Sequence, residues 1–455
     1  MTTDTAGGPA APAAPGQTRF QCPACGWSGS FDYRFTAWCE NCGHGADTGA
    51  PEKLKPRAAR KRERDRAAAL ARHRALTEAR ELRPTSAAGI AVTVLATLVH
   101  LVTALLALGS ILLVATYPNQ LVAWIGALIG LGAAAAVRPR FAYRRRKDVA
   151  TWVTRGQAPQ LFALLDRCAA ALGAPVPARI CFSPDFNAGT MRIGLLRPET
   201  GLLIGVPLWS ILTGQERTAL LGHELGHQIN DDVIHGLWAH SAQRSLVEWV
   251  KLVNPRFRRS RRLSRSSGIA AIADLLSPYI MFAFFIIPFL LVLGSLRGLR
   301  RLDLTSGQRA EYLADEFGSR VGSSAATAAL LDKLALRESV THYLTVKANQ
   351  RSTEVPWPGL RAYTDTIPGH ELRRRVLVEV ARRTRIDSTH PANYLRRDLI
   401  RARPQLPGTV FPTDAEWAGI DAEIRPFGEA VARKALKLRG AQQLAPATIG
   451  AEATA

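Results

Sequence analysis

The pentapeptide from His223 to His227, His-Glu-Leu-Gly-His, constrains this chain more than any other stretch. Two histidines four residues apart on a helix project from one face, so their imidazole nitrogens can bind one Zn²⁺ ion. Glu224 then lies beside the open coordination position, where a carboxylate can take a proton from water. Thr213 and Glu216 have the spacing of a capping box, and an apolar stretch follows them, which predicts a helix. The alternative is a chance pentapeptide, or two histidines that are satisfied within a core.

The place of a third metal ligand separates the classes of zinc enzyme. A metzincin needs glycine at position 230 and histidine at position 233, where this chain has Asn230 and Val233. A glutamate on a second helix is the other arrangement, and Glu311 is the best candidate. Asp315 is one turn further on the same face, where it can accept a hydrogen bond from a ligand histidine. The alternative for both carboxylates is a solvated acidic face.

Four short blocks follow one another in the chain: Asn187-Ala188-Gly189, His223 to His227, Glu311 to Asp315, and Ser388-Thr389-His390-Pro391 with Arg396 six residues after the histidine. In this order they resemble the integral-membrane zinc peptidases typified by the heat-shock protease HtpX and the CAAX prenyl proteases. The resemblance covers roughly residues 138 to 405 and the apolar hairpin before them. Glycine at position 189 departs from it, because the family has an aromatic residue there.

The resemblance implies a gluzincin-type endopeptidase that hydrolyses polypeptides, with a role in membrane protein quality control. His223, His227 and Glu311 would hold the catalytic zinc, with Asp315 behind them and Glu224 as general base. His390 and Arg396 are carried over by resemblance alone as catalytic residues that shape the cleft or stabilise the oxyanion. Two alternatives stay open: a non-cleaving membrane scaffold or regulator, and a membrane protein that binds nucleic acid. The intact set of ligands and base favours the peptidase.

The cysteines divide into two groups. Cys22, Cys25, Cys39 and Cys42 form two Cys-x-x-Cys knuckles, each followed by a glycine that permits a tight turn. This spacing predicts a zinc ribbon with a second, structural Zn²⁺, and the aromatic residues between the knuckles would supply its core. A pair of disulfides is the alternative, which a cytoplasmic location disfavours. Cys168 and Cys181 fit no ligand spacing and are predicted to be buried apolar residues.

Charge and hydropathy place the chain at a membrane. The formal net charge is +22, and the basic residues cluster beside apolar runs, which favours anionic lipid over nucleic acid as partner. Residues 87–115 are long enough to span a bilayer, and residues 120–137 are just long enough. Gly126 and Gly130 offer a small face for helix contact. The uncharged link between two basic flanks predicts a hairpin in the cell membrane with both ends, the ribbon and the peptidase in the cytoplasm.

The region between the two ligand helices raises a question of topology. Residues 233–253 suit an amphipathic interfacial helix, and residues 256–265 are rich in arginine. Residues 275–296 have the length of a membrane segment, which Pro278 and Pro288 are expected to interrupt. His227 and Glu311 must meet at one metal, so the chain cannot cross the membrane once between them. Either residues 233–253 also cross, or residues 275–296 re-enter, or they lie in the membrane without crossing.

We therefore predict an α+β fold that is mainly helical, with a membrane-embedded zincin-like domain, an N-terminal zinc ribbon and a transmembrane hairpin. Residues 192–208 would form a β-hairpin whose edge strand either holds an extended substrate or is only an apolar structural strand. The predicted segments are a disordered tail at 1–18, the ribbon at 19–50, a basic helical linker at 51–86, the hairpin at 87–137, the peptidase domain at 138–440 with its membrane segment 275–296, and a second disordered tail at 441–455.

Overall fold

The computed structural model describes residues 16–47, 56–79, 82, 86–140, 151–193, 199–230, 232–254, 269–382 and 391–444. The strands within these residues are β1 (Gln17–Gln21), β2 (Ser28–Asp32), β3 (Thr151–Val153), β4 (Arg179–Ser183), β5 (Ala188–Ile193) and β6 (Glu199–Gly205). The α-helices are α1 (Pro56–Glu78), α2 (Ala87–Thr116), α3 (Leu121–Val137), α4 (Pro159–Leu172), α5 (Val206–Ile211), α6 (Gly214–Ile229), α7 (Asp232–Val253), α8 (Ile269–Gly322), α9 (Ser324–Lys333), α10 (Arg337–Asn349), α11 (Pro356–Asp365), α12 (Gly369–Arg382), α13 (Asn393–Ala402) and α14 (Asp414–Leu444).

The chain forms two compact units. One unit comprises Met1–Leu82, Arg146–Ile229 and Glu311–Ala455, and the other comprises Arg83–Arg145 and Asn230–Ala310. The first contains the predicted ribbon and the predicted catalytic residues, and the second contains the apolar hairpin. Helix predominates in both, as the composition and the residue patterns predict.

A four-stranded sheet lies in the first unit, in the order β3-β4-β6-β5. Strands β4 and β6 are parallel, and the other two pairs are antiparallel. Strand β5 is the last in this order and is therefore an edge strand. Helix α4 buries Leu161, Phe162 and Leu165 in the same core as Phe182 of β4 and Ile204 of β6. The predicted hairpin is thus found, although its first strand begins earlier and the residues after Gly205 belong to α5.

Helix α6 and the last turns of α8 cross at very short range in the first unit. An added Cβ at Gly222 would lie 3.0 Å from Val321 Cβ, and one at Gly226 would lie 2.8 Å from the Phe317 ring. On α8, an added Cβ at Gly318 would lie 2.9 Å from the Ala219 carbonyl oxygen. Only glycine lets the two backbones approach this closely, and the approach brings the start of this α8 segment, with Glu311, beside the histidines of α6.

The second unit contains the apolar hairpin of α2 and α3. Helix α2 is long and apolar enough to span a membrane, and α3 is a shorter apolar helix. The predicted small-residue face is confirmed, because an added Cβ at Gly130 would lie 2.2 Å from the Ser110 hydroxyl and one at Gly126 would lie 3.0 Å from Leu113. The Thr103 hydroxyl donates to the carbonyl oxygen of Val137, which fixes the end of α3 against the middle of α2.

Helix α7 packs its apolar face within this second unit. Ala239, Ala242 and Leu246 share a buried cluster with residues of α2 and of α8 up to Leu299. The other face carries charge, and Lys251 pairs with Glu248 at 2.9 Å on a partly exposed surface. This arrangement agrees with the amphipathic character that the sequence predicts for residues 233–253.

Several predicted boundaries are wrong in detail. Strand β1 begins at Gln17, inside the predicted tail 1–18, and α14 runs to Leu444, beyond the predicted start of the second tail. Residues 275–296 are part of the continuous helix α8 and are not interrupted by their prolines. In the ribbon, Trp38 is buried as predicted, but Tyr33 is 68% exposed and contributes little to the core.

We expect Gly318→Ala to destabilise the first unit, because its new methyl group would press on the backbone of Ala219. Overpacking of this kind typically costs about 1–3 kcal/mol, which a fall in the thermal unfolding midpoint would report. Gly298→Ala is the matched control in the same helix, since no atom lies within 4 Å of the added Cβ. That control should keep or slightly raise the midpoint. Equal midpoints for Gly318→Ala and the unchanged protein would contradict the close crossing.

Candidate metal centre

Two helices place three ligand atoms together. The Nε2 atoms of His223 and His227 are 3.3 Å apart, as their spacing on α6 predicts. Glu311 of α8 reaches both histidines, with one carboxylate oxygen 3.7 Å from His223 Nε2 and the other 3.6 Å from His227 Nε2. The three side chains thus offer donor atoms that all lie within 4.8 Å of one another.

This donor set fits a zinc ion. Ligand atoms at about 2.0–2.1 Å from one tetrahedral zinc lie about 3.4 Å from each other, close to the observed separations. Two imidazole nitrogens and a carboxylate are the ligands of a catalytic site that keeps one position open. Glu224 follows His223 directly in the chain and is buried, with 4% of its surface exposed. The structure thus brings together the three ligands that the sequence predicts.

Asp315 holds the first histidine in place. Its Oδ1 atom lies 3.0 Å from His223 Nδ1, so the histidine can donate there and keep Nε2 free for a metal. Arg396 donates to the same carboxylate through two nitrogens, with a distance of 2.7 Å from Nε to Oδ2. The Arg396 Nη1 atom also lies 3.1 Å from the ligand Glu311. One guanidinium therefore ties the third ligand to the residue that orients the first.

The charges in this cluster compensate for their burial. Burial alone raises the pKa of Asp315, but Arg396 and His223 outweigh it and lower that pKa below its usual value. Burial alone lowers the pKa of Arg396, but Asp315 and Glu311 raise it above its usual value. Asp315 is therefore ionised and can accept the hydrogen bond of His223 throughout the neutral range.

Two further predicted site residues are Arg396, which the structure describes, and His390, which it does not. Arg396 lies beside the metal ligands, as the resemblance implies, and its donors point at carboxylates. His390 lies outside the described residues. An added Cβ at Gly189, on the edge strand β5, would meet no atom within 4 Å, so glycine there is not required by neighbouring atoms.

The four ribbon cysteines form a second candidate metal site. Cys22 and Cys42 have sulfur atoms 3.6 Å apart, and those of Cys25 and Cys39 are 3.5 Å apart. Four thiolates about 2.3 Å from one zinc would lie about 3.8 Å apart, so the set fits the predicted structural ion. A hydrogen bond from the Trp27 backbone is the main cause that lowers the pKa of Cys25 to about 6, which favours the thiolate.

The turns of the ribbon explain its glycines. The Gly26 amide donates to the Cys22 carbonyl at 3.0 Å, and the Gly43 amide donates to the Cys39 carbonyl at 2.8 Å. Both glycines have positive φ, which confirms their predicted role. Cys168 and Cys181 are buried, as predicted, and burial raises the pKa of Cys168 to about 12.

Sequence reasoning missed the glycines that let α6 and α8 meet. Gly222 and Gly226 are four residues apart, and so are Gly318 and Gly322. The same spacing led to the prediction for Gly126 and Gly130 in the apolar hairpin. The signal was therefore present, but outside the apolar runs nothing in the sequence marks it as a helix contact.

Comparison with known proteins agrees with this site. The model of Peptidase family M48 matches residues 156–403, and the chain belongs to that family. It is similar to a protein named Protease HtpX homolog of Pseudarthrobacter chlorophenolicus, at 29% identity over 29% of this chain and 45% of that protein. The homolog of Paenarthrobacter aurescens is 30% identical over the same shares. That of Bifidobacterium longum is 26% identical over 42% of this chain and 58% of that protein.

The chain spans about half the length of these curated relatives. No solved structure matches it. The family match includes the candidate catalytic centre from His223 to Arg396 but not the four ribbon cysteines.

We expect Glu311→Ala to weaken binding of the catalytic metal severely, because it removes one of three ligands. Asp315→Ala should weaken binding less, by about 10- to 100-fold, since it frees the histidine ring without removing a ligand. Competition with a metal chelator measures both affinities. Glu354→Ala, which removes a carboxylate that is 80% exposed, is the control and should bind normally. Normal affinity in Glu311→Ala would place the third ligand elsewhere.

Proposed function

We propose that this protein is a membrane-anchored zinc endopeptidase of the HtpX type that hydrolyses polypeptides. The convergence of His223, His227 and Glu311 from two helices, with the buried Glu224 next to His223 in the chain, is the observation that carries this proposal. The family match supports it. The intact ligand set and base favour hydrolysis over a non-cleaving scaffold, and we propose membrane protein quality control as the setting.

The chemistry divides between the ion and the chain. A zinc ion held by the three ligands would supply a Lewis acid for the scissile carbonyl and for water. Glu224 takes a proton from the attacking water as the water oxygen bonds to the carbonyl carbon. It then gives that proton to the leaving amine nitrogen as the peptide bond breaks. Asp315 keeps His223 in one tautomer throughout.

Arg396 is better assigned as a positioning residue than as an oxyanion donor. It is 5% exposed, and its contacts run to Asp315 and Glu311. A guanidinium committed to two buried carboxylates holds ligand geometry and balances charge. For His390 the proposal of a role near the cleft rests on the resemblance alone.

The edge strand β5 offers a place for the substrate. Its partner β6 occupies one side, and β5 ends the order of the described four-stranded sheet. An extended polypeptide can add to such an edge through main-chain hydrogen bonds, which requires no particular side-chain sequence. The absence of a side chain at Gly189 would leave room beside the bound chain.

We expect Glu224→Gln to abolish peptide hydrolysis while the catalytic metal stays bound, because an amide cannot accept the proton from water. The test compares degradation of an unfolded protein by the unchanged and substituted proteins, both purified in detergent with Zn²⁺. His223→Ala should lose metal and activity together. Glu354→Gln, remote from the metal ligands, serves as control and should cut normally. Full activity in Glu224→Gln would rule out the proposed mechanism.

We further propose a location in the cell membrane with the ribbon and the peptidase domain in the cytoplasm. Helix α2 has the length to span, and the basic flanks of the hairpin favour this orientation. The linker helix α1 precedes α2 in the chain and exposes basic side chains that suit anionic lipid, namely Arg57, Arg60, Lys61, Arg64 and Arg74.

The continuity of α8 narrows the topological choices. A segment that reverses direction within residues 275–296 does not fit one continuous helix. Crossing by α7 would carry Arg244, Glu248 and Lys251 into lipid, which is costly. We therefore propose that residues 275–296 lie in the membrane without a full crossing and that the basic stretch around Arg261 stays inside.

We expect a cysteine introduced at Ser264 to resist a membrane-impermeant thiol reagent applied to intact cells. A cysteine at Asn119, in the outward link, is the positive control and should react. The unsubstituted protein, with its native cysteines, sets the background. Reaction at position 264 from outside would mean that α7 and residues 275–296 form a second transmembrane hairpin.

A further inference from the structure

We propose that the N-terminal zinc ribbon is a positioning element of the active site, which acts through Glu379 on the helix that carries Arg396. The inference rests on the proposed peptidase function for its biological meaning. Its physical content, which is order in α13 and affinity for the catalytic metal, can be measured without proteolysis.

The ribbon contacts α12 through its second knuckle. Glu40 pairs with Arg373 at 2.6 Å, and the Ala46 carbonyl accepts from Arg374 Nη1 at 2.8 Å. Between these two contacts, the position of a Cβ on Gly43 is 3.6 Å from the Leu377 side chain. The residues that contact α12 thus surround Cys42, so the fold of the metal-binding loop determines whether they are in place.

The contact is anchored inside the first unit. Glu371 is 1% exposed and bonds to both Arg374, at 2.6 Å, and Arg375, at 2.8 Å. Arg375 also donates to the Ser339 hydroxyl at 2.6 Å. Glu371, Arg374 and Arg375 all lie on α12, so the buried carboxylate holds the Arg374 guanidinium in place for the ribbon carbonyl, while Arg375 ties the helix to Ser339 of α10.

The same helix caps the next one. Glu379 is five residues beyond Arg374 on α12 and is 9% exposed. Its Oε1 atom accepts from the backbone amide of Asn393, the first residue of α13, at 3.1 Å. The N-cap of α13 is Ala392, which has no side chain for that task. A carboxylate from α12 thus satisfies an otherwise open amide and complements the positive end of the α13 dipole.

Helix α13 carries Arg396 at the end of its first turn. A shift or fraying of that turn moves the guanidinium away from Asp315 and Glu311, because the bonds at 2.7 and 3.1 Å tolerate little displacement. Loss of the ribbon would remove the ribbon partners of Arg373 and Arg374, loosen α12 and weaken the cap by Glu379. The result would be a metal centre that still binds zinc but holds its ligands less firmly.

Hydrogen exchange and metal affinity test this series of contacts in the full chain in detergent, in a Glu224→Gln background that prevents self-cleavage. The variants are Glu379→Gln, Arg374→Ala, and Cys39→Ser combined with Cys42→Ser. Glu354→Gln is the matched control for a lost carboxylate. Metal analysis should find two zinc ions in the parent and one in the double cysteine variant, which keeps the catalytic ion at saturating zinc.

We expect all three variants to exchange faster in the first turn of α13 than the parent and the control do. Their affinity for the catalytic metal should fall by about tenfold, the lower end for changes behind a metal ligand. If the cysteine variant fails to fold, Arg374→Ala still tests the proposal, because it removes the contact with the ribbon and leaves the four cysteines unchanged. Helix α4, which has no part in these contacts, should keep its exchange rate.

Two results would overturn the proposal. One is a variant that lacks the ribbon zinc, or the Arg374 contact, yet shows normal α13 exchange and normal catalytic metal affinity. The other is equal acceleration in α4 and α13, which would mean general destabilisation of the unit. If exchange and affinity respond as expected but no variant or parent protein cuts polypeptides, the positioning role stands and the proposed function fails.

Discussion

The close crossing of α6 and α8 is the constraint on which the metal centre depends. A zinc ligand on each helix must reach a common point with short side chains, so the two backbones must nearly touch. Gly222 and Gly226 on one helix and Gly318 and Gly322 on the other remove the side chains that would hold them apart. Ligand geometry is thus set by residues that bind nothing, and a single methyl group at the crossing would act on the metal from a distance.

The crossing encloses charge, and this creates a second requirement. Glu311 and Asp315 are each at most 5% exposed, and two buried carboxylates would repel one another and favour protonation. Arg396 resolves this, because it contacts both and keeps Asp315 ionised. Removing a partner from such a buried set typically costs about 3–5 kcal/mol, since the remaining charge is left uncompensated. The supporting residues therefore stabilise the fold and orient the ligands at once.

The sequence allowed the ligands to be predicted because their chemistry is local. His223 and His227 are one helical turn apart, and their spacing alone implies a shared face. The two cysteine knuckles are similar, because each is a turn of a few residues. Glu311 required more, namely a comparison of block order, and Arg396 could be placed near the cleft only by resemblance. Its actual partners depend on how α8 and α13 meet, which no local pattern encodes. The wrong tail boundaries at Gln17 and Leu444 reflect compositional bias that does not prevent a strand or a helix.

The contacts of the ribbon are the feature that the sequence predicts least. A basic linker and an apolar hairpin separate it from the peptidase domain in the chain, so it reads as an independent module. Its contacts nevertheless run to Arg373 and Arg374, which are more than 300 positions away and resemble ordinary solvated charges on an amphipathic helix. Glu371 gives Arg374 a defined position. This buried carboxylate accepts from the Nε and Nη2 atoms of Arg374, and the Nη1 atom donates to the ribbon carbonyl of Ala46. A module that docks through prearranged arginines has a defined orientation, and a defined orientation is what the proposed effect of the ribbon on the catalytic metal site requires.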